Sequence, residues 1–206
     1  MDGVLIDSEP LWQEAGKETL QHFGISLTDE QYHTSTGLRT EEWVDHWFGY
    51  FGIDRVHAPE AVRIIIRTAI EKIGRHGTAL PGVNEILDYF EAKQFRIGLA
   101  TSSPMDLVDV VVDKLGIRNR FNAFCSAEFL PYGKPHPQVF LDCAAALSTA
   151  PPSCIVFEDS FNGMIAAKAA RMNCVVVPAG AQYDQPRWGA ADRKLKNLAA
   201  YIQPDN

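Results

Sequence analysis

The sequence predicts an α/β fold: a parallel sheet with helices on both faces, interrupted near its start by an all-helical insertion. Two observations carry this. From about Leu11 to Thr78 the chain reads as helices only, and from Ala79 onward short apolar strands alternate with helices. Strands joined through helices run parallel, and a parallel sheet is covered on both faces. The 206 residues suit one such unit with an insertion. The expected division is 1–11 together with 79–206 for the sheet-bearing part, and 12–78 for the helical part.

Taken in order, Leu11–Phe23 reads as a helix that Gly24 stops. Thr40 is placed to cap a helix whose Trp43, Val44, Trp47 and Phe48 share one face. Pro59 opens another, with Val62, Ile65, Ile66, Ala69 and Ile70 along one side. Pro81-Gly82 leads a helix to about Lys93, and Arg96–Ala100 is a short buried strand. Ser103-Pro104 is expected to cap a helix ending at Gly116. Phe124–Ser126, Cys154–Phe157 and Cys174–Val177 read as further strands, with helices over Pro137–Leu147 and Asn162–Met172 between them.

Composition narrows the function. Apolar residues form 46% of the chain and charged residues 22%, which supports an ordinary globular core. A net charge of −7 argues against nucleic acid as the main partner, because a phosphate backbone demands clustered Lys and Arg. The four cysteines are scattered and mostly beside apolar runs, as expected of a reduced, cytoplasmic protein. Neither a signal peptide nor a bilayer-spanning apolar stretch is read. There is no G-x-G-x-x-G or G-x-x-x-x-G-K-[ST] to support a nucleotide cofactor.

In a doubly wound sheet the ligand lies beyond the C-terminal strand ends. Thr101-Ser102-Ser103 follow one strand, Glu128 and Lys134 lie near the next, and Glu158-Asp159-Ser160 follow a third; Asp2, Gly3 and Asp7 join them. Carboxylates hold a hard cation, while a lysine and hydroxyls hold an anion, so the constellation suits Mg²⁺ and a phosphate. Each motif has a structural alternative. Asp2-Gly3 can be a simple turn, Asp159, Ser160 and Ser103 can be helix caps, and Lys134 can be a surface residue stiffened by its prolines. His22, His33, His46, His57 and His76 have no metal-ligand spacing, and Trp12, Trp43 and Trp47 read as core or lining of the helical part.

Four stretches in this order resemble the motifs of the haloacid dehalogenase superfamily: Asp2–Pro10, Gly98–Pro104, Lys134–Pro137 and Glu158–Gly163. The likeness is nearest to the branch of β-phosphoglucomutase and the 2-deoxyglucose-6-phosphate or hexitol phosphate phosphatases. It implies a Rossmann-like core domain over 1–11 and 79–206, and a helical cap over 12–78 that closes on the substrate. It also implies Mg²⁺-dependent hydrolysis of small sugar phosphates through an aspartyl-phosphate. By the same resemblance Asp2 protonates the leaving oxygen and lends its carbonyl to the metal, which Asp159 and Glu158 complete. Thr101 and Ser102 hold the phosphoryl group, Lys134 offsets its charge, and Trp12 and Arg39 touch the substrate.

The attacking aspartate of that pattern aligns immediately before Met1, and the strand carrying it would be central in the sheet. The expectation is therefore that Met1–Asn206 as it stands has little activity, reduced stability and an unpaired strand edge. Trp12 stands where the mutase has a histidine, which favours hydrolysis over isomerisation. A non-catalytic sugar-phosphate binder is the reading from another class. A monomer or weak dimer is expected.

Overall fold

The computed structural model describes residues 1–35 and 38–203. The chain opens in a tight turn and enters β1 (Ile6–Asp7), then runs through four helices: α1 (Glu9–His22), α2 (Asp29–Thr34), α3 (Thr40–Phe51) and α4 (Ala58–His76). It returns along β2 (Thr78–Ala79), which pairs antiparallel with β1 as Ile6 opposite Ala79. The helical segment thus leaves and rejoins the rest through two adjacent strands. Beyond them come α5 (Val83–Ala92), β3 (Gly98–Thr101), α6 (Met105–Lys114), β4 (Ala123–Ser126), α7 (Gln138–Ala146), β5 (Ile155–Glu158), α8 (Phe161–Ala169), β6 (Asn173–Val176) and β7 (Arg193–Lys194).

The expected parallel pairing is found, but in two pieces. Strand β3 pairs with β4, and β5, β6 and β7 pair in that order; among the described residues no strand bonds both β3 and β5. The helical layers nevertheless span both pieces. Leu99, Phe124, Phe157 and Val175 face one apolar cluster with Val83, Val108 and Val112. Their neighbours Ala100, Cys125, Val156, Cys174 and Val176 face another with Phe140, Met164 and Ala167. This alternation is the period-2 strand pattern with helices packed on either side.

The helical segment has its own core of Leu20, Ile25, Trp43, Val44, Trp47, Phe48, Ala61 and Ile65. Ile6, Ala15, Ala69, Ile73, Leu107 and Val111 join α1 and α4 to α6. Three local expectations change. Thr40 is the first residue of α3 rather than its cap; Arg39 takes the cap position, where its N–H donates to Glu42 Oε2 at 3.2 Å. Ser103 does not cap α6, because its hydroxyl is drawn to Asp2 (2.7 Å) and Pro104 occupies the cap position. The strand expected at Arg96–Ala100 runs from Gly98 to Thr101. Helix α2 was not foreseen, although Thr28 and Gln31 form a reciprocal capping box.

Candidate active site

Strands β3 and β5 end at Thr101 and Glu158, side by side with the opening turn. In that turn the N–H groups of Leu5 and Gly3 donate to the carbonyls of Met1 (2.7 Å) and Ile6 (3.0 Å). Asp2, Trp12, Thr101, Ser102, Lys134, Glu158 and Asp159 all line one cavity of about 120 Å³. Sequence reasoning singled out each of these. The helical segment roofs the same cavity with Tyr32, Ser35, Leu38, Thr40 and Trp43, which sequence reasoning did not assign to it. Their signal, a mix of aromatic and hydroxyl side chains, is the same one that a helical core produces.

Asp2 is held on both oxygens. Ser8 Oγ (2.7 Å) and Trp12 Nε1 (3.0 Å) donate to Oδ1, and Ser103 Oγ (2.7 Å) donates to Oδ2. Ser8 is fully buried and was not singled out. Lys134 and Glu158 are both buried and form an ion pair. Glu158 Oε2 also accepts from the Ser160 hydroxyl (3.0 Å) and N–H (3.3 Å). Burial alone would raise the Glu158 carboxyl pKa. The Lys134 ammonium, the α-amino group of Met1 and the Ser160 hydrogen bond outweigh that, so the net shift is downward.

Asp159 behaves oppositely. Burial and the neighbouring Glu158 charge push its carboxyl up to about 8, and its side chain accepts no hydrogen bond among the described residues. Tyr32, hydrogen-bonded to Glu9, is likewise raised, first by burial and then by the Glu9 charge.

Two glycines make room for these carboxylates. A Cβ on Gly3, whose φ is +63°, would lie 2.1 Å from Asp159 Oδ2, and one on Gly163 would lie 2.1 Å from the Glu158 carboxyl. Ser102 Oγ is buried without a partner, and Thr101 Oγ1 accepts from the Ser103 N–H (3.1 Å). A buried hydroxyl with no protein partner, in a cavity that a lysine also lines, is suited to an anionic oxygen. The carboxylates offer only oxygen, which suits a hard cation. Among the described residues no group of three or more His, Cys, Asp or Glu side chains gathers around one point.

Three expected members lie elsewhere. Asp7 is exposed on β1, and the Glu128 carboxylate accepts from Met105 N–H (3.1 Å) at the start of α6. Arg39 does not line the cavity, because backbone carbonyls of the loop after β4 bind its guanidinium. Thr36 and Gly37, shortly before it in the chain, lie outside the described residues.

The chain is 41% identical over 206 residues to hexitol phosphatase B of Escherichia coli K12, covering 100% of this chain and 93% of that protein. It is 30% identical to a fructose-1-phosphate phosphatase of the same organism, over 86% of this chain and 93% of the relative. Among solved structures, CbbY from Rhodobacter sphaeroides in complex with phosphate aligns with a TM-score of 0.87 at 22% identity, covering 98% of this chain and 93% of the other. A β-phosphoglucomutase from Clostridium difficile aligns with a TM-score of 0.85 at 21% identity, covering 98% and 90%. Residues 1–177 match the haloacid dehalogenase-like hydrolase family. With its four motifs converging on one cavity and that match spanning most of its length, the chain belongs to the haloacid dehalogenase-like hydrolases.

Proposed function

We propose that this chain is the framework of a Mg²⁺-dependent cytoplasmic phosphatase for small sugar phosphates of the hexose or hexitol class. The carrying observation is Asp2, fixed by Ser8, Trp12 and Ser103 beside the Lys134–Glu158 pair. The names of the relatives, a hexitol phosphatase and a fructose-1-phosphate phosphatase, support the substrate class. In this reading 1–11 and 79–206 form the catalytic core and 12–78 form the cap.

Asp2 gives its proton to the leaving sugar oxygen and then takes one from water, and its three donors keep the carboxylate aimed. Lys134 offsets charge on the phosphoryl group, and Thr101 and Ser102 receive its oxygens. Asp159, with Glu158 and the Asp2 carbonyl, would hold Mg²⁺, which when bound draws charge from the transferred phosphoryl oxygens. Trp12 sits over Asp2 in place of a proton-shuttling side chain: an indole N–H donates a hydrogen bond but does not titrate. This disfavours mutase chemistry.

The attacking carboxylate is assigned to the position ahead of Met1, on a strand that would lie between β3 and β5. The test is phosphate release from hexose, hexitol and pentose phosphates, with Mg²⁺ and with a chelator. Met1–Asn206 is compared with the same chain extended by an apolar strand ending in aspartate. Metal-dependent release by the extended chain alone supports the assignment. Release by Met1–Asn206 itself would move the nucleophile to another carboxylate, and silence from both would favour a non-catalytic binder.

A further inference from the structure

Arg39 stands at the start of α3, between two residues that roof the cavity, Leu38 and Thr40. Its side chain, only 13% exposed, reaches away from the cavity into the loop that joins β4 to Lys134. Nη1 donates to the carbonyls of Leu130 (2.6 Å) and Ala127 (3.3 Å), and Nη2 to Pro131 (3.4 Å) and to Glu42 Oε1 (2.8 Å). Glu42 Oε1 also accepts from the Gly133 N–H at 3.3 Å. The side chain lies flush on this loop: a Cβ on Gly133 would come within 2.9 Å of Arg39 Cγ and Nε. The next residue is Lys134.

The loop has other ties in its first part: Ala127 and Leu130 pack against the cluster of Phe140 and Met164, and Glu128 accepts from Met105 N–H at 3.1 Å. Its two aromatic residues point outward, Phe129 at 89% and Tyr132 at 66% exposed. Between Leu130 and Lys134 no apolar side chain is buried, and the planar Arg39 fork supplies a directional grip there.

We propose that Arg39 and Glu42 form a latch that ties the helical roof to the Lys134 loop, so that closing the roof and placing the lysine are one event. The inference rests on the phosphatase reading for its consequence, since Lys134 is taken to face phosphate. Arg39 is a positioning residue and does not touch the substrate. The guanidinium cannot stay on the carbonyls when the roof lifts, so an open cap releases the loop and lets Lys134 relax from the site.

The test compares wild type with R39A, R39K, G133A and the R39A/G133A double variant, each checked for folding by its melting curve. Backbone hydrogen exchange over residues 127–134 and the affinity for inorganic phosphate with Mg²⁺ are measured. The latch requires faster exchange and about tenfold weaker phosphate binding in both single alanine variants, the scale of one lost hydrogen bond to a charged group. The double variant should be no weaker than either single one, since both break the same contact. R39K, which keeps the charge but loses the fork, should recover part of both. Weaker binding in R39A with G133A unchanged, or with exchange unchanged, would overturn the latch in favour of direct ligand contact. Additive losses would also overturn it. If wild type binds no phosphate, the phosphatase reading fails, and the exchange comparison still decides the latch.

Discussion

Lys134→Met tests whether the buried ion pair governs the stability of the site. The lysine stem packs with its Nζ 4.8 Å from the Phe140 ring centroid, and methionine keeps most of that apolar volume while deleting the charge. The partner stays behind: Glu158, 5% exposed, keeps its Ser160 bonds and the nearby Met1 α-amino group but loses its ion pair, and still borders Asp159. Stranding one member of a buried pair costs about 3–5 kcal/mol. For a chain of 206 residues, each kcal/mol moves the melting midpoint by about 2–4 °C, which gives a fall of about 6–20 °C. The assay is thermal denaturation followed by circular dichroism near neutral pH, with a chelator so that no cation substitutes for the lysine. Adding Glu158→Gln to Lys134→Met removes the stranded charge and should restore most of the loss. A single variant melting within about 2 °C of wild type, or a double variant no better than the single, would refute the account.

Ser102→Ala should leave stability unchanged or slightly higher, because the hydroxyl is buried without a partner, yet weaken phosphate binding measured by calorimetry by about tenfold. Gly3→Ala should destabilise by about 1–3 kcal/mol in urea titrations and weaken Mg²⁺ binding, since the new Cβ would strike Asp159 at a φ of +63°. Tyr32, one of six tyrosines, has a raised pKa, so its contribution to stability is complete below the unfolded value near 10 and lost as pH rises through the folded one. Absorbance titration of the phenols should show one late ionisation that Tyr32→Phe removes; no late phenol would count against the burial described.

Much of this was legible in the sequence, for identifiable reasons. Strands such as Cys174–Val177 are short runs of apolar residues between turn signals, and both faces of a parallel strand are buried, so the pattern needs no tertiary information. The rim residues were legible because a strand end is a fixed place, and Thr101 and Glu158 fall there by counting. The Ser8 hydroxyl was not, because a serine before a helix reads as a cap. Here it donates to Asp2, and Ser8 accepts no side-chain cap bond. The same competition misassigned Ser103. The place of Arg39 was not legible for a different reason: its partners include backbone carbonyls some ninety positions away, which no side-chain pattern can announce.

The three donors on Asp2 come from both parts of the fold, and that has a consequence for how the carboxylate is aimed. Ser103 follows β3, whereas Trp12 sits on α1 and Ser8 immediately before it. A carboxylate aimed by both sides keeps its full set of donors only while those sides are together. Lifting α1 would withdraw the indole and loosen the hold on Oδ1, to which Ser8 also donates, while Ser103 retains Oδ2. The arrangement thus couples the aim of the Asp2 carboxylate to the position of the helical segment through the Trp12 indole.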